Sequence, residues 1–319
     1  MPHFYYSPDF LQHETGSHPE NAGRLRAVVE HLETTGLAAK CTTGEFAPAG
    51  EATIGRVHEA DHLEGLDALA ARGGGRADAD TVVCPRSVDI ARLAAGAVCT
   101  ATRKVVAGEA RRAFCAVRPP GHHALADRAM GFCLINHIAV AARMATDELN
   151  LDRVLIVDWD VHHGNGTQDL FYDDPRVGFF SAHRWPFYPG TGAADETGTG
   201  DGLGATHNLP VKMGTSRDRY LAWLARDLQT FADRIKPQLV LISAGFDSHR
   251  LDPIGSLGLE TEDFADLTRV VLDIAATHAD GRVISVLEGG YNPAVLADCV
   301  ATHLEELIDR DEEEAGESC

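Results

Sequence analysis

The stretch LIVDWDVHHGNGTQ, residues 155–168, carries an apolar run into two carboxylates and two adjacent histidines before breaking into glycines. Along a strand, alternate side chains share a face, so Asp158, Asp160 and His162 project to the same side. Two carboxylates and an imidazole on one face are costly to bury without a cation, because like charges raise each other's pKa. A divalent metal removes that penalty; a hydrogen-bonded core cluster is the alternative. Asp247, in SAGFDSH, could complete an Asp2His set that leaves a coordination position for water, as a catalytic zinc requires. A tandem histidine is a weak motif by itself, since 16 histidines in 319 residues give about one HH pair by chance. Two pairs occur, His122-His123 and His162-His163, each glycine-flanked and each directly after an apolar run. Tyr291, in EGGYN, follows two glycines that permit close backbone approach. Its phenol could aim a proton at a developing oxyanion, with packing as the alternative role.

The elements that must position these groups are legible. Apolar runs of strand length recur at 113–117, 154–157, 177–180, 239–242 and Val283–Leu287. Continuous apolar runs of this kind suit parallel strands buried on both faces. Between them, Leu221, Leu224, Leu228, Phe231 and Ile235 recur at helical spacing until Pro237, and Phe264, Leu267, Val271 and Ile274 repeat the pattern. Alternation of strand and helix predicts an α/β fold with right-handed crossovers. After the five runs come RPPGHHA, DWDVHHGNG, SAHRWPFYPGTG, SAGFDSHRLDP and EGGYN. Parallel strands end on one edge of their sheet, where ligands bind, so five polar, glycine-rich segments converge on one crevice. That convergence predicts an enzyme. The glycine- and proline-rich stretch 186–210 is too long for a simple connection and is expected to be a functional loop at the rim.

Composition narrows the class. With 44% hydrophobic and 24% charged residues, the chain is ordinary globular material. No run of about 18 apolar residues occurs and the N-terminus lacks a charged-then-apolar leader, so a soluble, cytoplasmic protein is expected. Seven scattered cysteines without a CxxC pair argue against a disulfide framework or a cysteine-ligated zinc module. The formal net charge of −20 repels nucleic acid and anionic membranes and would favour a cationic partner, although solubility alone accounts for it. The sequence reads as one domain over residues 1–308, followed by an acidic segment, 309–319, expected to be a solvated, disordered tail.

Taken in order, RPPGHHA, GFCLINHIAVAA, VDWDVHHGNGTQ, PFYPGTG, SAGFDSH and LEGGYN resemble the zinc-dependent histone deacetylase family, in its class II and bacterial deacetylase-like amidohydrolase branch. HPENAGRL and VHEADHLEGL are similar to its N-terminal motifs, and the resemblance spans residues 5–307. It implies the arginase/deacetylase fold, a single α/β domain with a central, mostly parallel eight-stranded sheet flanked by helices. It further implies that Asp160, His162 and Asp247 hold zinc. His122 and His123 would be the catalytic pair, with Asp158 as partner of His122 and Asn165 facing His123. Class II members carry asparagine at that last position, which agrees with Asn165. Tyr291 would stabilise the oxyanion; the family's nearly inactive subgroup has histidine there.

Gly131, Phe132 and Tyr188 would line a tunnel for the aliphatic stem of acyl-lysine, with Arg24 at its inner end and Asp80 at the rim. Potassium would use Asp158, Asp160, His162, Ser181 and the backbone of Ala182, and a second monovalent site the backbone near Phe171, Asp174 and Val177. The implied activity is zinc-dependent hydrolysis of N-ε-acetyl-lysine in protein or peptide, with His123 as base and His122 held positive. Acetylpolyamine deacetylases of this branch carry a glutamate seven residues past the zinc aspartate, whereas this chain has Ile254. An apolar gate cannot select an ammonium group, which favours acyl-lysine over polyamines. A non-catalytic acyl-lysine-binding protein and an arginase-type hydrolase are the rivals. The intact ligand set speaks against the first and the missing extra carboxylates against the second. Self-association is left open.

Overall fold

The computed structural model describes residues 1–317. Its strands are β1 (His3–Tyr5), β2 (Thr42–Thr43), β3 (Gly75–Arg76), β4 (Val82–Val83), β5 (Arg112–Cys115), β6 (Val154–Asp158), β7 (Val177–Arg184), β8 (Thr206–Val211), β9 (Leu239–Ala244) and β10 (Val283–Leu287). Among the described residues, eight of them form one parallel sheet in the order β2-β1-β5-β10-β9-β6-β7-β8. The remaining two, β3 and β4, make a small antiparallel ribbon.

The five strands expected from apolar runs are the five contiguous central ones, β5-β10-β9-β6-β7. Every residue of β6, β9 and β10 is buried, because helices cover both faces of a parallel sheet. The motifs after these strands are therefore neighbours in space, although up to 170 residues separate them in the chain. The three strands outside this group carry no such signal: HFY and the edge strand TT are short, and the other edge strand, THNLPV, is interrupted by polar residues and a proline. β8 accordingly occupies the end of the stretch 186–210, which was expected to be loop throughout.

The helices are α1 (Ala22–Thr34), α2 (Glu51–Ile54), α3 (Ala60–Ala71), α4 (Ser87–Val106), α5 (His137–Asp147), α6 (Asn165–Leu170), α7 (Arg217–Ile235), α8 (Thr261–His278) and α9 (Pro293–Glu317). One layer runs α1-α9-α8-α7; α4 and α5 pack on the other face. The predicted periodicity of α7 buries Leu224, Leu228 and Phe231, and the helix stops at Lys236, in the left-handed region, ahead of Pro237. α8 starts on a capping box between Glu260 and Asp263.

Of the acidic segment 309–319, expected to be a solvated tail, the described residues form the last turns of α9 as far as Glu317, and residues 318–319 lie outside the described residues. Asp311 and Glu314 lie three residues apart on one helix face, and both pair with the buried Arg112 at the start of β5. Arg111 also meets Glu314, at 2.6 Å. Charge complementarity with these two arginines orders what composition alone suggested would fray. No helix among the described residues is long and apolar enough to cross a membrane.

Candidate active site

β6 ends at Asp158, and beyond it the chain is held by its own carboxylates. Asp158 Oδ1 accepts from the Asp160 amide at 3.1 Å, Asp160 Oδ1 from the His162 amide at 2.9 Å, and Asp247 Oδ1 from the Val161 amide at 2.8 Å. These bonds turn Asp160, His162 and Asp247 toward one point, with ligand atoms within 4.8 Å of one another and all three side chains buried. His162 Nδ1 lies 2.9 Å from Asp160 Oδ1 and 3.1 Å from Asp247 Oδ2. Asp247 Oδ2 is nonetheless a buried acceptor without a well-formed hydrogen bond.

Glycines make room around this group. A Cβ on Gly245 would stand 2.1 Å from Asp160 Oδ2, and one on Gly289 2.3 Å from Asp247 Oδ2. Burial, then the Asp160 charge, pushes the Asp247 carboxyl up to about 7. Burial pushes Asp160 in the same direction, but His122 and His162 outweigh it and hold that carboxyl below its usual range. One carboxylate is thus kept charged at the expense of the other, the conflict a divalent cation relieves. The orphaned oxygen, the glycine cradle and the Asp2His donor set fit a metal ion.

His122 and His123 lie beside this group with ring centroids 4.0 Å apart. Their loop follows β5 and is pinned by the buried carboxylate of Glu288, which accepts from the amides of Gly121 at 2.7 Å and His122 at 3.3 Å. His122 Nδ1 is 2.9 Å from Asp158 Oδ2. Burial alone would lower its pKa, yet Asp158 and Asp160 raise it to about 10, so this ring is cationic at neutral pH. His123 Nδ1 is 2.7 Å from Asn165 Oδ1. That oxygen can only accept, so Nδ1 carries the proton and Nε2 keeps its lone pair. Burial, then the charges on His122 and His162, holds His123 well below the ordinary histidine value and therefore neutral. Gly164 lets the first contact close, since a Cβ there would sit 2.2 Å from Asp158 Oδ2.

Tyr291 follows β10. Its amide donates to Asp252 Oδ2 at 2.6 Å, and its ring lies beneath the Arg24 guanidinium, 4.8 Å from the centroid. Burial raises the phenol well above its usual value, so it stays a donor. Phe132 meets Tyr291 edge-on at 5.7 Å, and Tyr188 meets His123 at 5.2 Å. Gly131 has φ +56, and a Cβ there would lie 2.3 Å from His123 Cδ2, so glycine lets the aromatic wall close on the imidazole. The geometry therefore gathers a metal cradle, a cationic and a neutral imidazole, a protonated phenol and apolar walls.

A model of the histone deacetylase domain matches residues 18–307. The chain belongs to the histone deacetylase family. Similar proteins include the histone deacetylase-like amidohydrolase of Pseudomonas aeruginosa, 39% identical over 91% of this chain and 76% of that protein. A probable deacetylase of Archaeoglobus fulgidus is 37% identical over 90% of this chain and 80% of its own. The crystal structure of the HDA15 HD domain superposes with a TM-score of 0.92 at 34% identity, covering 97% of this chain and 89% of that one. The protein is a hydrolase of the deacetylase type with the arginase/deacetylase fold, and an acetylated amide is its substrate class.

Within this deacetylase the remaining expected residues are placed as follows. Arg24 reaches the floor of the site, where Nε donates to the Gly290 carbonyl at 2.5 Å and Nη2 to that of Glu288 at 2.6 Å. Ser181 stands opposite Asp158 in the β6–β7 register, with Ala182 next to it. The carbonyls of Phe171 and Asp174 accept from the amides of Asp174 and Val177, and the Asp174 carboxylate is taken by Arg143 and Arg176. Asp80 is half-buried near the Tyr188 phenol, and its carbonyl lies 3.0 Å from His18 Nε2. Ile254 is half-buried on the segment whose Asp252 also holds Tyr291.

The buried carboxylate of Glu20 was missed as a structural determinant of the floor. It binds Arg118 through both oxygens, at 2.6 and 2.8 Å, and Arg24 at 3.0 Å. Arg24, Arg118 and Glu288 each adjoin an apolar residue or a glycine, whereas Glu20 stands between Pro19 and Asn21, and none of the four names its partner in the sequence.

Proposed function

We propose that this deacetylase hydrolyses the amide of N-ε-acetyl-lysine in peptides or proteins, with zinc at Asp160, His162 and Asp247. The supporting observation is the imidazole pair held in opposite protonation states 4.0 Å apart beside that ligand set. A zinc ion held there would polarise the acetyl carbonyl and acidify water. His123, neutral with Nε2 free, takes the proton of the attacking water. Tyr291 donates its hydroxyl hydrogen bond to the oxyanion of the tetrahedral intermediate. His123 then returns its proton to the departing lysine amine, and the products are lysine and acetate. His122, tied to Asp158, stays cationic and stabilises the developing negative charge.

Gly131, Phe132 and Tyr188 would grip the methylene stem, and Asp80 would hold the substrate backbone at the rim. Potassium at Asp158, Ser181 and Ala182 belongs to the same proposal and would brace the ligand loop from behind. An acetylpolyamine is the second reading, favoured by the net charge of −20 and opposed by the apolar Ile254. A kinetic panel of acetyl-lysine peptides, longer acyl-lysines, acetylspermidine and acetylputrescine on metal-defined protein tests both. Peptide hydrolysis abolished by a chelator and restored by zinc is the expected outcome. A kcat/KM for an acetylpolyamine well above every peptide would overturn the substrate choice.

A further inference from the structure

His163 is the conspicuous residue of the zinc motif that the chemistry above leaves unused. The chain bends past the end of β6, and the two rings part: His162 faces Asp160 and Asp247, while His163 turns away to Thr191 and Gln168 at the base of the loop after β7. There it is buried and fully bonded. Its Nε2 donates to Gln168 Oε1 at 3.0 Å, which leaves Nδ1 to accept from the Thr191 hydroxyl at 2.8 Å. Gln168, on α6, donates in turn to Glu196 Oε2 at 2.6 Å. The Glu196 carboxylate closes the loop by accepting from the amides of Gly192 at 3.0 Å and Ala193 at 2.9 Å.

A second imidazole completes the anchor. His183 Nε2 donates to the Gly192 carbonyl at 2.9 Å, and its ring centroid lies 4.7 Å from that of His163. Gly192 sits against both rings: a Cβ there would lie 2.5 Å from His183 Nε2 and 2.6 Å from His163 Cδ2. The loop fastened at 191–196 is the one that carries Phe187, stacked on His162 at 5.2 Å, and Tyr188, edge-on to His123.

We infer that His163 is a positioning residue for substrate binding, locking the Phe187–Tyr188 wall of the tunnel through Thr191, Gln168 and Glu196. Neighbouring histidines thus divide the work, His162 toward the metal cradle and His163 toward the wall. The kinetic consequence rests on the proposed acyl-lysine reading; the loop anchoring does not. Removing the anchor weakens ground-state and transition-state grip alike, which raises KM and spares kcat.

The test uses zinc-loaded full-length protein carrying His163→Leu and, separately, Glu196→Gln at the loop end of the network. For both, KM for an acetyl-lysine peptide should rise about tenfold with kcat within about threefold. Amide hydrogen exchange across 187–196 should quicken, and the bound zinc per chain should not change. Unaltered loop exchange in either folded variant overturns the inference whatever the activity. Zinc loss or a fall in kcat at constant KM in His163→Leu also overturns it, since His163 would then support the ligand rather than the wall. Wild-type protein that cleaves no acyl-lysine sinks the substrate reading alone, and the exchange measurement still decides the anchor.

Discussion

The two tandem histidines look alike in sequence and are built differently. In His122-His123 the chain turns, with backbone amides fastened to Glu288, and both rings enter the same crevice. In His162-His163 the chain bends just past β6 and the rings part: one joins the proposed ligand group and the other anchors a loop. Backbone conformation, not residue type, decides how many rings of a tandem reach the chemistry. The neighbours then set their charge. Asp158 and Asp160 make His122 a cation against its burial, while burial, then the charges on His122 and His162, keeps His123 neutral despite its hydrogen bond to Asn165.

The sharpest way to break this contrast is to remove the proposed metal ligand itself. His162→Ala should abolish zinc retention after dialysis and cut turnover by about 10³-fold or more, the several kcal/mol of charge stabilisation a metal supplies. Metal analysis showing full zinc in this variant would mean that the second pair does not divide as described. Next in size, His123→Ala should lower kcat by about 10²- to 10⁴-fold while zinc content stays at the wild-type level. Loss of zinc instead would erase the distinction between the pairs.

The smallest effect probes charge. As the proposed base, His123 must be neutral to accept a proton, so activity should fall as pH drops through its pKa, which the site holds well below the ordinary value. Asn165→Asp places a carboxylate 2.7 Å from Nδ1, stabilises the imidazolium and raises that pKa. The acid limb of the kcat/KM profile should therefore move to higher pH by about one unit. An unmoved limb would show that His123 is not the base.

Much of this site was legible because its residues are chemically expensive. Asp158 and Asp160 at the end of a buried strand demand a partner, and the convergence of five strand ends followed from their apolar runs. The edge strands escaped because an outer strand needs no continuous apolar pattern, as THNLPV shows. The acidic end of α9 was misjudged because its partners, Arg111 and Arg112, are about 200 residues away in the chain. Glu20 and Glu288 went unassigned for the same reason: a lone glutamate announces nothing until Arg118 or the amide of Gly121 stands beside it.

The sequence by itself determined the α/β class, the crevice, the Asp2His set and the residues that match the family, since these depend on residue type and local periodicity. The resemblance already implied His162 as ligand and His122 as the charged ring; only the tertiary structure supplied the distances and burial that set those charges, and decided where His163 goes. Those outcomes depend on distances between groups remote in the chain, and electrostatic and hydrogen-bond energies are set by such distances and by burial.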